Sequence, residues 1–191
     1  VGMGSIFEEM GKTLTPSPLF STGVLGSSLI TLGGDDNQKQ KYLPQIVEGN
    51  LTTALALEEN SRHSPFTINT FAKKDGNSFK ISGNKTFVID GHSSDLLIVA
   101  ARTEGSDSDI SGITLFLVDS DVDGVEITKT SMVDSRNSAN VQFNETIVPA
   151  SNILGEENNG ASILEEVLDR AQIAISAEML GNASQAFEIT L

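Results

Sequence analysis

The sequence of 191 residues contains no cysteine. A disulfide framework, a thiolate nucleophile and a cysteine-ligated metal site are therefore excluded. A reducing cytoplasm fits that absence. Basic residues are scarce: 12 Lys and Arg stand against 26 Asp and Glu, a net charge of −14. Such a field repels phosphate backbones and anionic lipid, so nucleic acid and membrane surfaces are poor partners. No run of about 18 apolar residues occurs, so no segment reads as a membrane span. The opening residues do not resemble a signal peptide. The only histidines, His63 and His92, have no second His at ligand spacing, so ordinary loop histidines are expected and no metal site. Gly23 and Gly26 are not followed by a Lys-Ser/Thr pair, and no GxGxxG follows a strand. The phosphate-loop and dinucleotide fingerprints are thus missing.

What is present is an ordinary globular composition, 38% apolar and 20% charged, with enough length for a sizeable core. Periodicity separates three zones. Residues 1 to about 51 read as helices joined by short loops. Ser5 with Glu8 fits a capping box, and Pro16 and Pro18 break that helix. A small-residue helix is expected over about Ser21 to Leu32, closed by Gly33-Gly34. Asp35 with Gln38 is a second capping-box signal, opening a helix to Val47 in which Pro44 is awkward. From Leu51 to about Val148 the pattern is that of strands. Asp75-Gly76-Asn77 reads as a hairpin turn, Leu96 to Ala101 and Ile113 to Val118 as fully buried strands, and Asp123-Gly124 as another turn. Glu104 to Gly112 reads as a solvated loop; the aspartates of 107 to 123 match calcium-loop spacing only loosely and lack the closing Glu. About eight strands in a hundred residues point to an antiparallel barrel or sandwich. A polar linker, Asn152 to Gly160, leads to a third capping-box signal at Ser162 and Glu165. From there helical periodicity runs to Leu191 with no closing Gly, Asn or Pro signal. With Val1 in place of an initiator Met, the expectation is an internal piece of a longer protein.

Glu58 and Glu59 end an apolar strand beside a polar loop. Either is a candidate general base, against the simpler role of anchoring the loop. Adjacent strand residues point to opposite faces, so the two are not expected to share one site. Asp169 and Arg170 on the last helix are candidates for an anionic ligand, or else form a surface ion pair. No complete catalytic constellation emerges from residue chemistry alone.

The order of segments resembles the acyl-CoA dehydrogenase family. Leu32-Gly33 through Gln38-Lys39-Gln40-Lys41-Tyr42-Leu43-Pro44 to Gly49 is similar to that family's GxxxQKxxYLP…G segment, in which Pro44 would follow the helix. Ala56-Leu57-Glu58-Glu59-Asn60 to Ser64 is similar to ALTEPxAGS. Gly83-Asn84-Lys85-Thr86-Phe87-Val88-Ile89-Asp90-Gly91 is similar to GxKxWITNG. Gly112-Ile113 to Asp119, Gly124-Val125, Val148-Pro149 and Leu154-Gly155 follow the spacing of its β-domain. Leu168-Asp169-Arg170 to Leu180-Gly181 follows the start of its C-terminal helical domain.

The resemblance implies an α+β fragment: the end of an N-terminal helical domain (1–51), a middle β-barrel (52–157), and the first helix of a four-helix bundle (158–191). It implies FAD as cofactor, held by Leu55, Ala56, Leu57, Glu58 and Ser64 and by Phe87, Val88 and Ile89. It implies an acyl-CoA substrate near Ser64, Asp169, Arg170 and Gln172. An electron-transfer flavoprotein as acceptor, and a homo-oligomer such as a tetramer, or a heteromer, follow from the same resemblance. The catalytic base is expected beyond Leu191, so this stretch alone is expected to be inactive. The departures are specific. Glu58 replaces the family's Thr, Asn60 its Pro, His63 the Gly before Ser64, Ile89 a hydroxyl-bearing Thr, and Gln172 an Arg. These leave open a non-catalytic or cofactor-poor partner subunit of a heteromeric dehydrogenase, or an acyl-CoA oxidase.

Overall fold

A computed structural model describes residues 2–133 and 136–191. Its helices are α1 (Gly2–Thr13), α2 (Ser27–Gly33), α3 (Asp36–Val47) and α4 (Gly160–Thr190). A π-helical segment, Leu19–Gly26, runs directly into α2. The strands are β1 (Thr53–Ala56), β2 (Phe71–Asp75), β3 (Ser78–Ile89), β4 (Leu96–Arg102), β5 (Ile113–Asp119), β6 (Val125–Lys129), β7 (Ser138–Pro149) and β8 (Ile153–Leu154).

The eight strands run in the order β6-β7-β3-β2-β4-β5-β8, with β1 paired beside β4. The expected antiparallel barrel needs correction on two counts. The sheet is mixed, because β1 lies parallel to β4 and β2 meets β4 in parallel at Phe71 and Arg102. It is also not closed: the outer strands β6 and β8 pair with β7 and β5 respectively, not with each other. Parallel pairing follows from β1 entering out of the helical zone, with no hairpin to reverse it.

Two hydrophobic cores flank the central strands. Leu55, Leu57, Ile98, Ala100, Leu115 and Leu117 face the helices, joining Phe7, Leu29, Ile30, Leu164 and Val167. Ala54, Ala56, Val99, Ala101, Phe116 and Val118 face the other way, onto Phe79, Ile81, Val141 and Phe143. Both faces of β4 and β5 are therefore covered, which is why those strands read as unbroken apolar runs. The π-helical segment is pinned to β1: Thr53 N–H donates to Thr22 Oγ1 at 3.0 Å.

Helix boundaries differ from the sequence pattern where local bonds decide them. At α3 the Asp35–Gln38 capping box is complete. That helix continues through Pro44 to Val47, so Pro44 lies within it and not after it. Neither Ser5 nor Ser162 caps a helix. α1 is already running at Gly2, and Ser162 Oγ–H donates to Asn159 O at 3.1 Å inside a helix that starts at Gly160. Asn140 to Val148 lie within one continuous strand, β7. Where α1 crosses α4, a Cβ added at Gly11 would lie 2.0 Å from Glu178 O, and one at Gly181 would lie 1.9 Å from Glu8 O. Only glycine permits so close a backbone approach.

Candidate functional site

β1 ends at Ala56, so Glu58 and Glu59 belong to a loop and strand alternation does not govern them. Both carboxylates turn inward on their own surroundings. Glu59 accepts the N–H groups of Asn69 at 2.7 Å and Thr70 at 2.9 Å, and the Lys85 Nζ at 2.7 Å. Lys85, fully buried on β3, also donates to Leu57 O at 3.0 Å. The motif that carries Lys85 is thereby bolted to the loop after β1. Burial pushes the Lys85 ammonium down to about 8, against the pull of Glu59. For Glu59, burial works to raise the carboxyl, but the charge and hydrogen bond of Lys85 and the two backbone N–H groups hold it below its ordinary value. The pair is thus ionised at neutral pH, and neither member is a free acid or base.

Glu58 is engaged too. His63 Nδ1 lies 2.6 Å from Glu58 Oε1, and Ser64 N–H donates to Glu58 Oε2 at 3.1 Å. With both oxygens committed to its own loop, Glu58 does not project from a strand end as an open general base.

The second segment joins the first through Thr86, whose N–H donates to Glu58 O at 2.8 Å. Pairing of β3 with β7 shifts register between Lys85 and Val88, a bulge at which Phe87 adopts φ +50°. The bulge sets the side-chain directions. Phe87 and Ile89 are 47% and 44% exposed, whereas Val88 is buried in the sheet core. Leu55, Ala56 and Leu57 are likewise buried, so they and Val88 have only backbone atoms to offer a ligand. Side chains free to meet one are those of Phe87, Ile89 and Ser64. Among the described residues the Ser64 hydroxyl has no hydrogen-bond partner.

Asp169, Arg170 and Gln172 are exposed on α4, and Arg170 pairs with Glu166 at 2.6 Å. α4 packs on α1, the π-helical segment, α2 and β5. Among the described residues no hydrogen bond connects these three side chains to the β1 loop or to the end of β3. A cavity of about 440 Å³ lies elsewhere, beside Arg102, Glu104 and Asp107. The Arg102 guanidinium there is spent on carbonyls of Ile68, Glu104, Asp107, Asp109 and Ser111. It shapes the 104–112 loop, with its N–H groups directed to that loop's carbonyls and to Ile68 O.

Sequence reasoning missed the Lys85–Glu59 pair. Its signal was legible: Phe79, Ile81 and Lys85 share one phase of β3, and a lysine in the inward phase requires a buried partner.

A helix-backed mixed sheet, with a strand-end loop bolted to a bulged neighbouring strand, defines the class: residues 54–146 match the acyl-CoA dehydrogenase middle domain. The chain belongs to the acyl-CoA dehydrogenase family. It is 35% identical over 186 residues to cyclohexane-1-carbonyl-CoA dehydrogenase of Geobacter metallireducens, covering 95% of this chain and 48% of that protein. It is 34% identical over 164 residues to mitochondrial isovaleryl-CoA dehydrogenase of Pongo abelii, covering 83% of this chain and 38% of that one. The crystal structure of an acyl-CoA dehydrogenase from Geobacillus kaustophilus superposes with a TM-score of 0.90 at 33% identity, over 98% of this chain and 51% of that one. The chain therefore spans about half the length, or less, of these relatives.

Proposed function

We propose that the whole protein is an FAD-dependent acyl-CoA dehydrogenase, which desaturates an acyl thioester between Cα and Cβ. One observation carries the reading. The two segments that the family resemblance assigns to the flavin, 55–64 and 87–89, are fastened into one edge by Thr86 N–H on Glu58 O and Lys85 on Leu57 O. Phe87 and Ile89 stand open beside that edge.

The residues suit the cofactor. Phe87 and Ile89 offer an apolar platform to a flat ring, and the unpartnered Ser64 hydroxyl offers a donor to a phosphate. Backbone of Leu55 to Glu58 and of Val88 would complete the contacts. Bound FAD supplies the acceptor for the Cβ hydride. Ile89 carries no hydroxyl, so a donor to the ring edge at that position has to be backbone. Removal of the Cα proton falls to a carboxylate outside this chain, because Glu58 and Glu59 are already engaged. Ser64, Asp169, Arg170 and Gln172 are the proposed contacts of the acyl-CoA. The division at about 51 and 157 into helical, β and helical domains belongs to the same reading. So do an electron-transfer flavoprotein acceptor, an oligomeric assembly and a cytoplasmic location. Among the described residues, no helix is long and apolar enough to cross a membrane.

A second reading is favoured by Ile89 and Gln172: a cofactor-poor partner subunit of a heteromeric dehydrogenase. Anaerobic absorbance of the purified whole protein separates the two. A flavin band that bleaches on adding acyl-CoA thioesters is the expected result. A flavin-loaded protein that no acyl-CoA bleaches contradicts dehydrogenation, and a protein that retains no flavin favours the partner subunit.

A further inference from the structure

Two of the residues that depart from the family pattern meet each other. Glu58 stands where the family has Thr, and His63 where it has Gly. The structure brings them within 2.6 Å, His63 Nδ1 to Glu58 Oε1. The other carboxylate oxygen, Oε2, accepts the N–H of Ser64 at 3.1 Å. Thr86 N–H, on the neighbouring strand, holds the Glu58 carbonyl at 2.8 Å, so the Glu58 backbone is fixed and its side chain has little choice but to curl over its own loop.

A backbone N–H that takes a carboxylate oxygen has the geometry to take a phosphate oxygen, since both are charge-assisted acceptors. An amide cannot serve both at once. The buried cation Lys85 bonds Glu59 at 2.7 Å, and no hydrogen bond joins it to the Glu58 carboxylate among the described residues. His63 is the side chain that hydrogen-bonds the other Glu58 oxygen, and it is 69% exposed. Introducing an anion here therefore means displacing one negative charge from the Ser64 amide and leaving it close by.

We propose that Glu58 is a built-in competitor of the loop's own anion site: its carboxylate, braced by His63, occupies the Ser64 amide and sets how tightly a phosphate-bearing ligand binds. The inference rests on the reading of this loop as the phosphate-facing part of a flavin site. It adds that the affinity of this site is set by a residue the relatives' motif lacks. Removing the carboxylate strengthens binding, where loss of an ordinary ligand-binding residue would weaken it. His63 acts through Glu58, as a positioning residue. Without it Glu58 loses one anchor and yields the amide more readily.

The test uses the chain itself, with inorganic pyrophosphate as probe and the Ser64 amide followed by NMR. In the unsubstituted chain the probe binds weakly. Glu58→Thr shifts the Ser64 amide in the absence of probe and tightens pyrophosphate binding at least about tenfold; His63→Gly tightens it by less. A purely structural role for Glu58 predicts the opposite, a loosened loop and weaker binding. If pyrophosphate binds equally to the chain and to Glu58→Thr while the Ser64 amide shifts, competition is refuted and the flavin-site reading stands. If neither form binds pyrophosphate at the Ser64 amide, both fall.

Discussion

At the scale of single residues, Lys85 and Glu59 form a buried ion pair. Lys85 and Glu59 are almost wholly removed from water, 0% and 7% exposed in their side chains. Breaking such a pair leaves an uncompensated buried charge, at a cost of about 3–5 kcal/mol. Lys85→Met is expected to destabilise the chain by that order in urea unfolding at pH 7. Acid adds a second arm. The folded-state carboxyl of Glu59 lies below its ordinary value of 4.5, so its stabilisation is present above that value and is lost as pH falls through the folded one. Lys85 behaves in the same sense at higher pH. Its ammonium is pushed down to about 8, so between there and 10.5 the unfolded chain holds the extra proton and stability from this group rises with pH. Glu59→Gln is expected to flatten the acid loss measured as pH falls below about 4.5. An unchanged acid profile would show that the carboxyl is not held down. The phase of β3 marks Lys85 as inward-facing, but which carboxylate meets it depends on the loop path after β1, about which hydrophobic periodicity carries no information.

At the scale of elements, most of the sheet was visible in the sequence. Strands with both faces covered announce themselves as continuous apolar runs, as β4 and β5 do. β6 follows the Asp123-Gly124 turn signal directly. Pattern failed where backbone hydrogen bonding alone decides. Ser162 with Glu165 has capping-box spacing, yet the helix had already begun at Gly160. The bulge in β3 is also invisible in periodicity, though it turns Val88 inward and leaves Phe87 and Ile89 outside. It therefore divides three residues that the motif treats together. The α1–α4 crossing shows what a small residue can specify. Gly11→Ala and Gly181→Ala each place a methyl within 2.0 Å of a backbone carbonyl oxygen. Overpacking of this kind costs about 1–3 kcal/mol. Gly4→Ala, on the same helix with open space around it, is expected instead to stabilise by about 0.4–1 kcal/mol. Thermal unfolding of the three variants checks the contrast. Equal effects at Gly4 and Gly11 would mean that the helices are not in close contact.

At the scale of the whole molecule, the chain carries a β-domain with its helical backing and one long helix that exposes several apolar side chains among polar ones. Ile173, Met179, Phe187 and Ile189 on α4 are between 64% and 76% exposed. Fold and family were both legible from motif order. The candidate site was legible as two segments but not as a chemistry, because the motif could not tell which side chains are consumed internally. Glu58 looked like a charge facing a flavin, whereas its carboxylate is folded onto Ser64 and His63. In the proposed function the loop after β1 and the bulged end of β3 together form the edge that meets the flavin. Hydrogen exchange of the whole protein, read by mass spectrometry with and without FAD, tests this most directly. Slowed exchange on FAD addition is expected in both 55–64 and 86–90. FAD binding that leaves the exchange of these two segments unchanged would contradict it.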